Sequence, residues 1–179
     1  PTLPQRLRDE TEAYLATYTP FGAAGETIGR QQVPDVLAKL TDDRGPQVIL
    51  LSGIAGSGKS GVVRGVIDGL RRAGVPHVAL RIDQHLDCKA PADLGRALLQ
   101  RNESPVITLK GLSPDAISVL VIDQIDAVSE VSGRNGAAKN AVLRMIDEAR
   151  HFRSVRVVLV CRSFDIESDE RIKQLKKAN

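Results

Sequence analysis

The residues with the clearest chemical meaning form a glycine-rich segment at 53–60, Gly-Ile-Ala-Gly-Ser-Gly-Lys-Ser. It fits the pattern G-x-x-x-x-G-K-[ST] of a phosphate-binding P-loop, the Walker A motif. Glycines let such a loop aim backbone N–H groups at phosphate, and the following helix presents its positive end to the anion. Lys59 is predicted to reach the β- and γ-phosphates, and Ser60 to ligate Mg²⁺. The predicted phosphate-binding residues are Gly53, Ala55, Gly56, Ser57, Gly58, Lys59, Ser60 and Gly61.

A second site is predicted where an apolar run, residues 119–122, ends in Asp123. Such a run is typical of a buried parallel strand, which carries its last side chain to the sheet edge where ligands bind. Asp123 is therefore the predicted Walker B carboxylate and, with Ser60, the predicted Mg²⁺ ligand. Many P-loop ATPases have Glu at the next position, but this chain has Gln124. Either Asp126 orients the attacking water or hydrolysis is slow; alternatively, Asp126 is the N-cap of a following turn.

Two arginines and one upstream segment complete the predicted site. Arg162 follows an apolar strand and is the candidate sensor of the γ-phosphate; the alternative is a surface arginine in a salt bridge. Arg134 lies in a polar loop and could be an arginine finger toward a neighbour. The segment Ile28-Gly29-Arg30 precedes a helix and the P-loop strand, and is predicted to cover the adenine, against the alternative of a plain loop. The predicted catalytic residues are Lys59, Asp123, Gln124, Asp126 and Arg162.

The hydrophobic periodicity predicts the elements that must position these side chains. Four strands are expected, near 47–51, 75–82, 118–122 and 155–160. Amphipathic helices are expected at 3–18, after residue 33, after the P-loop, at 93–100, at 141–152 and at 170–177, while 102–114 is expected to be a surface connection. These elements predict a three-layer α/β sandwich with a mostly parallel sheet. The P-loop strand should lie beside the strand that ends at Cys161.

Composition limits the classes of protein to consider. The 179 residues are 42% hydrophobic and 26% charged, with a net charge of +3, as in one globular α/β domain. The signs of charge alternate and the chain has only five aromatics, two Tyr and three Phe, so nucleic acid is not indicated. No apolar run reaches membrane-spanning length, and the two cysteines indicate a reducing, cytoplasmic location. We interpret the chain as a fragment, with a helical segment or linker at 1–26 and a C-terminally truncated core at 27–179.

Together the motifs resemble the STAND class of P-loop NTPases, which includes the NACHT and NB-ARC families, and within it the bacterial and fungal defence types. Ile28-Gly29-Arg30 is similar to the hhGR box before the P-loop, and Asp123 to Asp126 resembles a D-x-h-D form of Walker B. Arg162 stands where many members have the arginine of sensor 1. The preceding threonines of that sensor are Val160 and Cys161 here, and Ala127 occupies the position of a Walker B Glu.

The resemblance implies an ASCE/AAA-like nucleotide switch that binds ATP or ADP with Mg²⁺. Such proteins hold ADP as closed monomers, exchange it for ATP when a sensor domain meets its trigger, and form homo-oligomers that activate an effector domain. Many bacterial members act in antiphage defence. Sensor and effector domains would lie outside this fragment. The alternatives are a mechanical AAA-type ATPase acting on DNA or protein, which should have Glu beside Asp123, and a P-loop kinase, which should have an arginine-rich lid. No guanine-specific N-K-x-D is present, which favours adenine.

Overall fold

A parallel sheet forms the centre of the structure, a computed structural model that describes residues 1–18, 31–54, 58–128 and 136–162. Within those residues the sheet has four strands: β1 Val48–Gly53, β2 His77–Arg81, β3 Ser118–Asp123 and β4 Val155–Arg162. Their order is β1-β4-β3-β2, and each neighbouring pair is parallel. β3 and β4 are buried along almost their whole length, which explains why both are largely continuous apolar runs.

This strand order confirms two expectations from the sequence. The fold is the predicted α/β arrangement with a parallel sheet. The P-loop strand β1 also lies beside β4, with Ser52 opposite Cys161. The intervening strand β2 is at the far edge, paired only with β3 among the described strands.

Six α-helices lie in the described residues, at α1 Leu3–Ala16, α2 Gln32–Thr41, α3 Lys59–Arg72, α4 Pro91–Leu94, α5 Pro105–Leu112 and α6 Gly136–Arg150. α4 continues directly into a π-helical turn, Gly95–Leu99, while short 3-10 turns follow β2 at Ile82–Gln84 and β3 at Ile125–Val128. None of the helices in these ranges combines the length and the apolar character needed to cross a bilayer. The predicted helix at 170–177 lies outside the described residues.

The helices cover both faces of the sheet and form two apolar clusters. Residues of α4, α5 and α6 pack on one face, with Leu94, Leu109 and Met145 fully buried. Residues of α2 and α3 pack on the other face, with Leu40 and Ile67 fully buried. The structure therefore has the predicted three layers.

Helix α1 lies against the edge strand β2 and contributes to both clusters, through Leu7 on one side and Tyr14 on the other. The Thr11 hydroxyl accepts a hydrogen bond from the Ala79 N–H of β2 at 3.3 Å and donates one to the Leu7 carbonyl at 2.8 Å. The expectation that the N-terminal helix packs on the domain is confirmed. The boundary between a segment 1–26 and a core 27–179 stays a prediction.

One sequence-based expectation is wrong. Residues 102–114 are not simply a surface connection, because they contain α5, in which Val106 and Leu109 are completely buried. The helix begins with a capping signal: the Ser104 hydroxyl accepts a hydrogen bond from the Ile107 N–H at 3.1 Å, and Pro105 occupies the first helical position. Apolar residues lie on the exposed side of this helix as well as the buried side, as Ile107 shows, so its helical period is weak and the start signal was the available indication.

Candidate functional site

The predicted site residues that end β1, β3 and β4 lie together at the carboxyl edge of the sheet. The register places Gly53, at the end of β1, opposite Arg162, at the end of β4. Asp123 ends β3, the next strand, opposite Arg81 of β2. Because all four strands are parallel, their last side chains share one edge, the usual location of ligand sites in open α/β sheets.

The described part of the P-loop segment joins β1 to α3 at this edge. Gly58 has φ +81°, a left-handed conformation that favours glycine, and it directly precedes the first helical residue, Lys59. The Gly61 N–H donates to the Gly58 carbonyl at 3.0 Å, closing the first turn. The Lys59 Nζ donates to the Gly53 carbonyl at 2.7 Å and the Ile54 carbonyl at 2.9 Å. The lysine thus folds back over the end of β1, while Ser60 lies in the first turn of α3.

Asp123 is a buried carboxylate. Within the described residues, every hydrogen bond that it accepts comes from a neutral donor. The residue is only 4% exposed. Its Oδ1 accepts the Gln124 N–H at 2.6 Å, and its Oδ2 accepts the Tyr14 hydroxyl at 3.0 Å and also the Tyr18 hydroxyl. The two tyrosine hydroxyls lie 3.1 Å apart.

Burial decides the electrostatics of this carboxylate. Loss of hydration raises the pKa of Asp123, and the nearby charge of Asp126 raises it further. The hydrogen bonds from Gln124 and Tyr14 act in the opposite direction without overcoming the effect of burial. Burial and the Asp123 charge together raise the pKa of Tyr14 far above its ordinary value, so the phenol keeps its proton and donates to the carboxylate.

Gln124 connects the two predicted acidic residues through an unusual backbone conformation. Its φ is +61°, in the left-handed region that non-glycine residues seldom adopt. The Gln124 carbonyl accepts the Ala127 N–H at 2.9 Å, which starts the turn Ile125–Val128. Backbone strain of this kind is concentrated at functional sites, and here it lies between the two carboxylates.

Asp126 and Arg162 are brought together at the ends of β3 and β4. The Arg162 Nε lies 3.4 Å from Asp126 Oδ2, with the arginine side chain 59% exposed and the aspartate side chain 14% exposed. This ion pair matches the alternative in which Arg162 is a surface arginine in a salt bridge. Asp126 lies within the turn Ile125–Val128, not before it.

Several of the predicted site residues lie outside the described ranges. They are Ile28, Gly29, Arg30, Ala55, Gly56, Ser57 and Arg134.

The two tyrosines at Asp123 were missed by the sequence analysis. Tyr14 lies in α1 and Tyr18 lies two residues beyond its end, and their four-residue spacing lets both side chains face the same side. Their rings pack edge to face, with centroids 5.2 Å apart. The spacing was visible in the sequence, but it indicated only a buried helix face and not which residue that face would meet.

The donor set at this edge fits a nucleotide with Mg²⁺. A hydroxyl, Ser60, and a carboxylate, Asp123, are hard oxygen ligands of the kind that Mg²⁺ prefers. The N-terminal end of α3, a helix of 14 residues, with Lys59 in its first position supplies positive charge for a phosphate.

Comparison with known proteins agrees with this chemistry. The model of the family described as novel STAND NTPase 1 matches residues 20–178. No curated protein matches the chain.

A solved structure with a TM-score above 0.5 shows the same fold at low sequence identity, and two others match more weakly. A DNA replication initiation factor is 12% identical, with a TM-score of 0.53 over 82% of this chain and 42% of its own. Trip13 from Rhizobiales is 16% identical, with a TM-score of 0.45 over 98% of this chain and 56% of its own. RIF2 from Saccharomyces cerevisiae is 10% identical, with a TM-score of 0.47 over 96% of this chain and 60% of its own. The chain therefore spans only 42 to 60% of the lengths of these three structures.

Proposed function

The chain belongs to the novel STAND NTPase 1 family, and from that premise we propose that it is the slowly hydrolysing ATP/ADP switch of a longer signalling protein. Family membership makes it a nucleotide-binding NTPase. The preference for adenine, the slow rate and the signalling role are the content of the proposal.

The proposal depends on one observation: the proposed phosphate-binding groups and the proposed metal-binding carboxylate lie at the same edge of the sheet. Lys59 and Ser60 begin α3 directly after the left-handed Gly58, and the buried carboxylate of Asp123 ends β3 at the same edge. A triphosphate needs a cation and N–H donors, whereas the accompanying metal ion needs oxygen ligands. This edge offers both.

Lys59 has a defined role in the proposal. Its ammonium group now donates to two backbone carbonyls, which are neutral acceptors. Phosphate oxygens are charged acceptors and make hydrogen bonds roughly twice as strong. We therefore expect the lysine to exchange these carbonyls for the β- and γ-phosphates when a nucleotide binds.

Ser60 and Asp123 would hold Mg²⁺, which neutralises charge on the β- and γ-phosphates when it is bound. The Asp123 carboxylate suits this role because its described hydrogen bonds come from an amide and two phenols. These donors are neutral, so the negative charge remains available to a cation.

Slow hydrolysis follows from the residues beside Asp123. Gln124 occupies the position where faster P-loop ATPases have Glu, and an amide is a poor proton acceptor. Asp126 is the remaining carboxylate for orienting water, but it is paired with Arg162. We propose that the exposed Arg162 turns from Asp126 toward the γ-phosphate of bound ATP, which releases Asp126 to orient water and reports the nucleotide state to β4.

The rest of the proposed switch lies outside the described geometry. Ile28, Gly29 and Arg30 would cover the adenine, as in the resembling STAND proteins. Sensor and effector domains elsewhere in a longer chain would control exchange and oligomerisation on activation. A cytoplasmic role in antiphage or immune defence is the setting that the resemblance favours.

The proposal is tested by measuring bound nucleotide and turnover in the full-length protein, with Lys59→Ala and with Lys39→Ala as the control. Lys39 is an exposed lysine on α2, so its replacement should change nothing. We expect the wild type to bind ADP and ATP and to turn over well below the roughly 1–100 s⁻¹ of kinases. Lys59→Ala should abolish ATP binding, and ATP should increase the particle size of the wild type.

Other outcomes would reassign the protein. Turnover that is fast, or that requires DNA or a protein substrate, would favour the mechanical AAA-type ATPase. Equal nucleotide binding by Lys59→Ala and the wild type would contradict the proposed P-loop site itself.

A further inference from the structure

Both tyrosines of this chain converge on one carboxylate oxygen. The sequence contains two Tyr and no Trp. The hydroxyls of Tyr14 and Tyr18 both donate to Asp123 Oδ2. The second oxygen, Oδ1, accepts only a backbone N–H, from Gln124, among the hydrogen bonds seen in the described residues.

Tyr14 is the more firmly held of the two. It is 4% exposed and belongs to α1, whereas Tyr18 lies beyond the helix end and is partly exposed. α1 is fixed to β2 by the Thr11 hydroxyl, which accepts the Ala79 N–H.

Two arginines of α3 also contact α1. Arg64 donates to the Leu15 carbonyl at 3.2 Å, and Arg71 pairs with Glu12 at 2.5 Å. The Arg71–Glu12 pair is exposed and contributes little, so the hydrogen bonds of Thr11 and Arg64 are the contacts that hold α1 near Tyr14.

We propose that Tyr14 is a positioning residue of the magnesium site, which fixes the orientation of the Asp123 carboxylate and thereby sets the affinity of the nucleotide complex for Mg²⁺. This inference rests on the proposed function, in which Asp123 and Ser60 hold the metal ion. A carboxylate torsion is broad and nearly two-fold, so the backbone bond at Oδ1 and the bond from the partly exposed Tyr18 fix it less firmly without the buried Tyr14.

A phenol suits this task better than a cationic side chain. It donates one hydrogen bond and carries no charge, so it orients Asp123 without competing with Mg²⁺ for the negative charge. Hydrogen-bond partners of metal ligands commonly change metal affinity by about 10–100-fold when they are removed. Tyr14 would act through Asp123 and would not touch the nucleotide.

The test compares Tyr14→Phe with Tyr18→Phe, two variants that each remove one hydroxyl from the same oxygen. Binding of a fluorescent ATP analogue to the full chain is titrated in EDTA and over a series of Mg²⁺ concentrations. Tyr14→Phe should raise the half-saturating Mg²⁺ concentration about 10-fold and leave the affinity in EDTA unchanged. Tyr18→Phe should change it by less than Tyr14→Phe, because Tyr18 lies beyond the end of α1, is partly exposed and is held less firmly than Tyr14.

A second measurement does not depend on a variant of α1. Tyr14 and Tyr18 are the only tyrosines of these 179 residues, which contain no Trp, so they supply all of the tyrosine fluorescence from this part of the protein. Addition of Mg²⁺ to the nucleotide complex should change this signal in the wild type, and Asp123→Asn should abolish the change. An unchanged wild-type signal would overturn the proposal even if Tyr14→Phe failed to fold.

The outcomes separate this inference from the proposed function. If wild-type binding depends on Mg²⁺ but Tyr14→Phe behaves like the wild type, or if Tyr18→Phe has the larger effect, only the role of Tyr14 is overturned. If Tyr14→Phe weakens binding equally in EDTA, its role is structural and the inference also fails. If the wild type shows no Mg²⁺-dependent binding, both the inference and the proposed function fail.

Discussion

The two carboxylates after β3 lie three residues apart and are held in opposite ways. Asp123 is buried and accepts hydrogen bonds from phenols and an amide, all of them neutral. Asp126 lies nearer to solvent and is paired with the guanidinium of Arg162. No cationic side chain in the described residues is hydrogen-bonded to the inner carboxylate, whereas the charge of the outer one is partly balanced by Arg162. This difference is consistent with the two roles that we propose, metal binding for Asp123 and a switchable contact for Asp126.

The largest effect is expected from replacing the inner carboxylate, Asp123, the proposed metal ligand. Asp123→Asn keeps the size and the hydrogen-bonding oxygen but removes the charge. We expect Mg²⁺-dependent turnover to fall by about 10³-fold, the upper range for removing one charge-stabilising group. Steady-state hydrolysis is the measurement, with the exposed Asp115→Asn as the matched control. Retention of wild-type activity by Asp123→Asn would end the assignment.

The outer carboxylate should show a smaller effect. Asp126→Asn should lower turnover by about 10²-fold, near the low end for a positioned base, while binding of ATP with Mg²⁺ stays close to that of the wild type. Single-turnover kinetics and equilibrium binding separate the two effects. Loss of metal-dependent binding in Asp126→Asn would mean that the two carboxylates share one role.

The strained residue between the carboxylates offers a stability test. Gln124 has φ +61°, which glycine adopts readily and alanine does not. Left-handed geometry costs an L-residue such as alanine roughly 1–2 kcal/mol, and glycine avoids this cost. Glycine also loses more conformational entropy on folding, which offsets part of the gain. Gln124→Gly should therefore be more stable than Gln124→Ala by about 1 kcal/mol. Urea denaturation in EDTA measures the difference. Equal stability would show that the backbone relaxes in the alanine variant.

The smallest expected effect is the contribution of Asp123, the inner carboxylate, to the pH dependence of the free energy of unfolding. Burial raises the pKa of Asp123 above its ordinary 3.8, so between pH 3.8 and the folded-state pKa the folded protein binds more protons than the unfolded chain. The free energy of unfolding therefore falls as pH rises through this window, and Asp123 contributes its extra stability on the acidic side.

Asp123→Asn lacks this titration. The stability of Asp123→Asn relative to the wild type should therefore increase as pH rises from the acidic side of the window toward neutrality, measured by denaturation without Mg²⁺ or nucleotide. A difference that stays constant with pH, or that shrinks, would contradict the raised pKa.

The sequence was sufficient for the fold because its strongest signals are local. The apolar strands before Lys59 and Asp123 are long enough to be recognised, and the motif spacing fixes the place of β1 beside β4. Helix α5 is hard to recognise because its apolar residues are not confined to one face, which leaves the start signal at Ser104 as the indication of a helix.

The candidate site was less predictable where distant segments meet. Lys59 and Ser60 follow from one contiguous motif, but the contact of Tyr14 with Asp123 joins residues 109 positions apart. Helical periodicity shows that one face of α1 is buried and cannot show what it faces. The pairing of Arg162 with Asp126 likewise depends on the packing of two strand ends.

The contact between Thr11 and the edge strand β2 has a consequence for assembly of the protein. An uncovered edge strand exposes unpaired N–H and C=O groups, to which a strand from another molecule can add. α1 lies against that edge, and the Thr11 hydroxyl already satisfies the Ala79 N–H. Copies of this chain are therefore discouraged from joining sheet to sheet at β2, and a variant lacking α1 would be prone to aggregate there.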